Sequence, residues 1–227
     1  MKARFAAIFL VAVAAVLLIA AVAGAAMVGI YRNGLETQPQ RAEMLQLFGR
    51  NCKRGGGEDA IQVLLGAKTD SCAYRTPVLG RDLEIAATEQ ILSTTPKPLQ
   101  RKAYMAVQLR AGGGNKYELR AFPVQRKAQL LKVSEAGTKY LAIKKNVKGI
   151  GGINQPTVVR LRAVKGAGDG SAAVAAYVGP ELVGEVSDEA AGELTGEFTA
   201  VSVGATKIAD GLSGSIDDLV IRVPVAF

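Results

Sequence analysis

Two adjacent carboxylates, Asp217 and Asp218, stand at the start of a β-branched apolar run near the carboxyl terminus. They could act as an acid/base pair, as metal ligands or as the polar start of a closing strand. Neighbouring residues of a strand point to opposite faces, whereas the two carboxylates of a glycosidase face each other across about 5–9 Å. We therefore expect one Asp to cap a turn through backbone N–H groups and the other to be solvated.

A second acidic group occurs in the loop sequence SDEAAGELTG, which contains Asp188, Glu189 and Glu193. Calcium takes about six to eight oxygen ligands, often from such loops, and the three carboxylates are therefore candidate calcium ligands. Their spacing follows no regular calcium-binding motif. A solvated turn is the favoured interpretation, and calcium binding is the alternative.

The usual motifs of nucleophilic and phosphate chemistry do not occur. The chain has no His, which excludes a Ser–His catalytic pair. The Gly-rich stretches AGGGNK and KGIGGIN lack the Walker pattern of a phosphate-binding loop. We therefore expect a protein that is not an enzyme and that uses no cofactor.

Charge is distributed unevenly along the chain. Residues 97–165 carry 16 Lys and Arg against two carboxylates, whereas residues 166–227 carry two against ten. Several of the cations fall on the polar faces of predicted strands. The candidate ligand-binding residues are Arg110, Lys116, Arg120, Lys144, Arg160 and Arg162.

If these strands are neighbours in one sheet, their cations form a single basic surface. Such a surface suits carboxylate or phosphate groups, as found in acidic glycans, anionic wall polymers, lipid headgroups and acidic protein surfaces. An ordinary solvated sheet face is the alternative. Nucleic acid is not expected to bind, because no aromatic platform is interleaved with the cations.

The amino-terminal segment is apolar. No charged residue occurs between Arg4 and Arg32, and crossing a bilayer core of about 30 Å takes about 20 such residues. We predict a cytoplasmic terminus over residues 1–4, a transmembrane signal anchor over residues 5–31 and a domain outside the cytoplasm. The alternative is a cleaved signal peptide and a secreted protein, since the small residues 23–25 fit a cleavage site.

The two cysteines, Cys52 and Cys72, are the only ones in the chain. Their spacing permits one disulfide in an oxidising compartment. Two unrelated buried thiols are the alternative. A zinc site is not expected, because two Cys without His do not complete a tetrahedral shell.

The remaining sequence predicts a domain made of strands. Residues 32–57 suggest a linker with a short helix over residues 40–48. From Ala60 onward the apolar pattern has a period of two, as in Met105, Val107 and Leu109. Many short strands separated by turn residues predict an all-β, two-sheet jelly-roll sandwich over residues 58–227.

Four stretches resemble the concanavalin A-like lectin/glucanase superfamily, including its laminin G-like members. They are TPVLGRDLEIAA, AYMAVQLRAGGGNKYELRAFP, VAAYVGPELVGEVSDEAAGELTGEFTAVSVG and GSIDDLVIRVP. The resemblance implies a sandwich with one concave face, and carbohydrate binding on that face. Laminin G-like members sometimes bind calcium at a rim.

The resemblance does not extend to the catalytic motif of the superfamily. Its enzymes carry a Glu-x-Asp-x-x-Glu triplet, whereas Asp82, Glu84 and Glu89 stand here in a different order and at different offsets. The chain also has no Trp, which leaves few rings for stacking on sugars.

These observations predict a membrane-anchored, extracytoplasmic, non-catalytic module. Its basic sheet face would recognise an acidic glycan or a protein partner. One alternative is a self-assembling cell-surface subunit, in which the basic middle of one copy meets the acidic carboxyl-terminal part of another. The other is a hydrolase that acts on glycans through an atypical site.

Overall fold

Alternation of apolar and polar side chains produces strands along most of the chain. The computed structural model describes residues 27–49, 51–56 and 60–225, and within them it shows fifteen strands and two short helices. The strands are β1 (Met27–Asn33), β2 (Leu45–Phe48), β3 (Cys52–Gly56), β4 (Ile61–Leu65), β5 (Ser71–Leu79), β6 (Leu83–Ile91), β7 (Ala103–Gly112), β8 (Asn115–Phe122), β9 (Lys127–Ser134), β10 (Gly137–Lys144), β11 (Thr157–Lys165), β12 (Ala172–Val178), β13 (Glu181–Asp188), β14 (Phe198–Ala205) and β15 (Ser213–Pro224). The helices are α1 (Gln38–Ala42) and α2 (Lys97–Gln100), and a 3-10 turn covers Ala191–Glu193.

The strands form two antiparallel sheets. Sheet A has the order β13-β12-β11-β6-β15-β4-β3, and β1 also pairs with β15. Sheet B has the order β10-β9-β8-β7-β14-β5-β2. Hairpins of consecutive strands alternate with strands from distant parts of the chain, such as β15 between β6 and β4 and β14 between β7 and β5, as in a jelly roll. The predicted all-β, two-sheet sandwich is confirmed.

The core lies between the two sheets. Met105, Val107 and Leu109 on β7 are fully buried, as their alternation predicts. They belong to one apolar cluster with Ile85 and Leu161 of sheet A. Each fully buried side chain of this size contributes roughly 1.5–3 kcal/mol to stability, so the interface between the sheets supplies the main driving force for folding.

A disulfide joins the two sheets. Cys52 on β3 of sheet A is bonded to Cys72 on β5 of sheet B, and their Cα atoms are 5.8 Å apart. The predicted pairing is confirmed. The bond crosses between the layers at the side of the sandwich where β3 and β2 are the outermost strands of their sheets.

The amino-terminal assignments need correction. Residues 27–31, predicted as the end of the transmembrane anchor, lie in β1 and pair with β15. Residues 32–57 are not a linker, because they contribute β2 and β3 to the sandwich. Their helix is α1, where Thr37 is the N-cap and forms a capping box with Gln40. Residues 45–48, predicted as the end of this helix, form β2. Pairing with distant strands overrides the local apolar pattern in these segments.

The rest of the predicted anchor, residues 5–26, and the predicted cytoplasmic residues 1–4 lie outside the described residues. Among the residues that the structure does describe, no helix has the length and apolar character that a membrane span requires.

Candidate functional site

The outer face of sheet B carries a polar cluster at its centre. Alternation directs Val107, Leu119 and Val201 into the core, so the residues beside them point outward. Gln108 on β7 pairs with Glu118 on β8, and the neighbouring β14 places Ser202 beside them.

Hydrogen bonds hold this cluster in one arrangement. Gln108 Nε2 donates to Glu118 Oε1 at 3.1 Å and to Ser202 Oγ at 3.3 Å. Arg120 donates through Nε and a terminal nitrogen to Glu118 Oε2, at 3.0 and 2.7 Å. Lys116 Nζ lies 3.6 Å from Glu118 Oε1. Since Glu118 is only 1% exposed, these charge-assisted contacts compensate for the loss of its hydration.

The same ion pair affects the guanidinium group of Arg120. Burial alone would lower the pKa of Arg120, but the carboxylate of Glu118 outweighs burial and raises that pKa above its ordinary value. Arg120 therefore stays a cation on this face at every physiological pH.

Gln108 has one polar atom left over. Its Nε2 must face the Glu118 carboxylate, because only the amide nitrogen can donate, and this fixes the direction of Oε1. That oxygen is buried and accepts no hydrogen bond from any of the described residues. An unsatisfied buried acceptor of this kind lowers the stability of the fold by about 1–3 kcal/mol.

A groove of about 460 Å³ lies beside Gln108, at the end of the sheet where β7 turns into β8. Its lining residues are Gln108, Ala111, Gly112, Gly113, Gly114, Asn115, Lys116 and Phe198. No carboxylate occurs among these described lining residues.

Glycines keep the groove open. A Cβ on Gly112 would come within 2.9 Å of Gly196 Cα, so the two backbones meet only because both residues are glycine. Gly113 and Gly114 form the turn with φ angles of 58° and 90°, and a Cβ there would meet no atom within 4 Å. The turn therefore forms one wall of the groove from backbone alone.

Cations stack on aromatic rings along the same face. Arg75 lies 4.4 Å from the Phe198 ring, Arg120 lies 4.5 Å from the Tyr104 ring, and Lys127 lies 4.4 Å from the Phe122 ring. Such contacts hold a cation in place without neutralising its charge. Together with Lys116, they give strands β5, β8 and β9 four cations on this face against the single carboxylate of Glu118.

The six predicted ligand-binding cations do not form one surface. Only Lys116 and Arg120 lie on the outer face of sheet B. Arg160 and Arg162 lie on β11 in the other sheet, where they pair with Ala86 and Glu84 of β6. The single basic surface predicted from the alternation is therefore wrong, because β8 and β11 belong to different sheets.

Arg110 and Lys144 also lie away from the outer face of sheet B. Arg110 has φ 51° at a bulge near the end of β7 and is 3% exposed. Its guanidinium contacts Asp82 at 3.2 Å, so it lies between the sheets. Lys144 is on the outermost strand β10 and forms an ion pair with Glu181 of β13 at 3.0 Å. Both side chains join the two sheets.

Lys132 forms ion pairs with two of the three carboxylates of the predicted acidic loop. Lys132 Nζ lies 2.9 Å from Asp188 and 3.4 Å from Glu193, while Glu189 accepts a hydrogen bond from Ser187. Burial would raise the pKa of Asp188, but hydrogen bonds from Tyr117 and Lys132 outweigh it and lower that pKa. Across residues 27–49, 51–56 and 60–225, no carboxylate or cysteine cluster is arranged to hold a metal ion.

The acidic pair that begins the closing apolar run is structural. Asp217 Oδ1 accepts a hydrogen bond from the Asp218 N–H, as expected of a capping Asp, and Asp218 is exposed with φ 45°. This bulge shifts the alternation of β15, so Asp217 pairs with Thr88 and shares the outer face of sheet A with Val220. Strict alternation along β15 would place Asp217 on the same face as Leu219, whereas the bulge puts Leu219 in the core and Asp217 outside it.

Four residues of this face were not predicted from the sequence, namely Gln108, Arg75, Lys127 and Phe198. The hairpin AYMAVQLRAGGGNKYELRAF contained one usable signal. Folding it about the three glycines places Gln108 opposite Glu118. No comparable signal links this hairpin to β5 or β14.

Solved structures of other proteins share this architecture. The carbohydrate-binding module CBM66 from Bacillus subtilis matches with a TM-score of 0.55 at 14% identity, over 78% of this chain and 93% of that one. A variant of the Emp46p carbohydrate recognition domain matches with a TM-score of 0.58 at 14% identity, over 87% and 97%. The kappa-carrageenase from Pseudoalteromonas carrageenovora matches with a TM-score of 0.55 at 9% identity, over 89% and 97%.

The chain has a lectin-like jelly-roll fold. No family model and no curated sequence matches it. The predicted resemblance is thus confirmed for the fold, and the similar structures include a carbohydrate-binding module, a carbohydrate recognition domain and a kappa-carrageenase. One fold supports many functions, so the function has to be argued from the groove.

Proposed function

We propose that this protein is a non-catalytic glycan-binding module that takes an acidic sugar into the groove on the outer face of sheet B. The observation that carries the proposal is a groove of about 460 Å³ that is lined by Lys116 and Phe198 and by no carboxylate among its described lining residues. Phe198 offers an aromatic surface for the apolar C–H side of a sugar ring.

An acidic sugar is favoured by the charge of this face. Lys116 lines the groove, and Arg75 is stacked on Phe198 at its edge. Arg and Lys in such positions bind carboxylate or sulfate groups through charge-assisted hydrogen bonds. Association should therefore weaken as salt is added.

A hydrolase is the second candidate function, because a polysaccharide-degrading enzyme shares the fold. Glycoside hydrolysis generally needs two carboxylates that flank the scissile bond. No carboxylate is found among the described residues that line the groove, and Glu118 beside it is held by Arg120 and lies 3.6 Å from Lys116. This arrangement supports binding over hydrolysis.

Anchoring in a membrane is part of the same proposal. The uncharged run that precedes β1 has the length of a bilayer span, and the disulfide suits an oxidising compartment outside the cytoplasm. The proposed location is therefore the outer surface of the membrane that holds residues 5–26.

Retention on immobilised polysaccharides tests the proposal. The full chain in detergent should be retained on an acidic polysaccharide such as hyaluronate, and salt should elute it. Lys116→Gln and Phe198→Ala should each weaken binding about tenfold, equivalent to about 1.4 kcal/mol. Gln129→Met, on β9 of the same sheet but outside the groove, is the matched control.

Two results would contradict the proposal. One is the absence of retention on every acidic polysaccharide tested. The other is retention that Lys116→Gln and Phe198→Ala leave unchanged. Release of reducing ends from a bound polysaccharide would favour the hydrolase instead.

A further inference from the structure

A second cavity adjoins the groove. It has a volume of about 560 Å³, and its lining residues are Asn115, Ser134, Glu135, Ala136, Glu193 and Thr195. Asn115, the first residue of β8, lines both cavities. The two spaces therefore lie on either side of one side chain, at the end of sheet B formed by the β7–β8 and β9–β10 turns.

The two cavities differ in charge. Lys116 and no carboxylate are found among the described residues that line the groove. Glu135 and Glu193, without any cation, are found among those that line the second cavity. Lys132 lies nearby, 3.4 Å from Glu193, but it also binds Asp188 at 2.9 Å. The local balance at the second cavity is therefore negative.

The hydrogen-bonding groups of the two cavities also differ, and the difference favours an anionic sugar in the groove and an uncharged sugar in the second cavity. The groove presents the ammonium group of Lys116, which donates hydrogen bonds. The second cavity presents carboxylate and hydroxyl oxygens, which accept hydrogen bonds from neutral hydroxyl and amide groups. A carboxylate or sulfate placed there would be repelled by Glu135 and Glu193. Asn115 between them can donate to one sugar and accept from the next.

We propose that the two cavities are adjoining subsites for a linear glycan in which an anionic sugar alternates with an uncharged one. This inference rests on the proposed function and adds the class of glycan. The anionic sugar occupies the groove beside Lys116, and the uncharged sugar occupies the second cavity beside Glu135 and Glu193. A glycan with an anionic group on every sugar binds less tightly, because its charged groups are repelled at the second cavity.

Two oligosaccharides of equal length test the inference by calorimetric titration of the full chain in detergent. Hyaluronate hexasaccharide alternates a uronate with an N-acetylated hexosamine, whereas hexagalacturonate is anionic at every sugar. We expect hyaluronate hexasaccharide to bind about tenfold more tightly, a difference of about 1.4 kcal/mol.

Variants locate the cause of this preference. Glu135→Gln combined with Glu193→Gln should strengthen hexagalacturonate binding several-fold and change hyaluronate hexasaccharide binding little. Glu185→Gln, on β13 and outside both cavities, is the matched control. Because Lys132 keeps its contact with Asp188, the double variant retains one of its two ion pairs. An unchanged melting temperature would confirm its fold.

The outcomes separate this inference from the proposed function. Equal or tighter binding of hexagalacturonate by the unmodified chain would overturn the alternating-glycan inference alone, if Lys116→Gln still weakens both. The alternating-glycan inference alone would also be overturned if Glu135→Gln combined with Glu193→Gln leaves the ratio of the two affinities unchanged. Failure of both oligosaccharides to bind would overturn the inference together with the acidic-glycan proposal.

Discussion

At the residue scale, Glu89 is a buried carboxyl group within the core. It lies on the core-facing side of β6 between Ala87 and Ile91, is 1% exposed, and neither oxygen has a hydrogen-bond partner among the described residues. Burial raises the pKa of Glu89 well above its ordinary value. The Ala106 N–H offsets part of this shift, although its geometry falls short of a hydrogen bond. The neutral acid is thus the form compatible with the core.

This burial predicts that stability falls as pH rises. The folded-state pKa of Glu89 lies above its unfolded-state pKa, so its stabilising contribution is complete below the unfolded-state pKa and is lost as pH rises through the folded-state pKa. Its paired neighbours on β15 and β11, Ile216 and Thr157, carry no charge. Glu89→Gln should remove this loss.

Urea unfolding of the full chain at about pH 5 and about pH 8 measures the effect. The unmodified chain should lose more free energy of unfolding between these values than Glu89→Gln does. Glu185→Gln on β13, whose carboxyl group is outside the core, is the control. Parallel pH dependences for the unmodified chain and Glu89→Gln would contradict the assignment.

At the scale of elements, bulges decide which way a side chain points. The alternation of β7 and β15 was predicted from the sequence, and their core residues follow it up to a bulge in each strand. Beyond Arg110 and Asp218, both with positive φ, the order of faces is shifted. A bulge adds one residue to one strand of a pair. A bulge depends on pairing with the partner strand, so the alternation of apolar residues within one strand does not predict it.

The disulfide between β3 and β5 also acts at this scale. It closes a loop of about 20 residues, which contributes about 3 kcal/mol in the chain-entropy account. Cys52→Ala should lower the free energy of unfolding by about this amount under non-reducing conditions. In reductant, the unmodified chain and the variant should unfold alike. An equal difference with and without reductant would show that the loss arises from packing instead.

At the scale of the whole molecule, the chain enters the sandwich at the end that carries the groove. Met27 pairs with Pro224, and Arg222 forms an ion pair with Glu84 at the start of β6. Next to it, Asp82 contacts Arg110 at the end of β7. The segment before β1 therefore joins the domain close to the β7–β8 turn. If residues 5–26 span a membrane, the groove lies at the end of the sandwich nearest that membrane.

This geometry predicts that an anchored domain distinguishes ligands by size. In a lipid nanodisc, the full chain should bind hyaluronate hexasaccharide as it does in detergent, while long hyaluronate should bind more weakly. A Gly/Ser linker of about 20 residues inserted before Met27 spans roughly 25 Å and should restore binding of the long polymer. Equal binding of long hyaluronate with and without the linker would contradict this arrangement.

The sequence alone determined the strand character, the sandwich class and the exclusion of Ser–His chemistry, and it permitted one disulfide. These properties follow from side-chain alternation, turn residues and composition, which are local or additive. Only the tertiary structure decided that Lys116 and Arg160 lie in different sheets, that Arg110 is buried, and that Gln108, Phe198 and Arg75 meet at one groove. Strand order and bulges depend on contacts between residues far apart in the chain. Periodicity within one segment carries no information about such contacts.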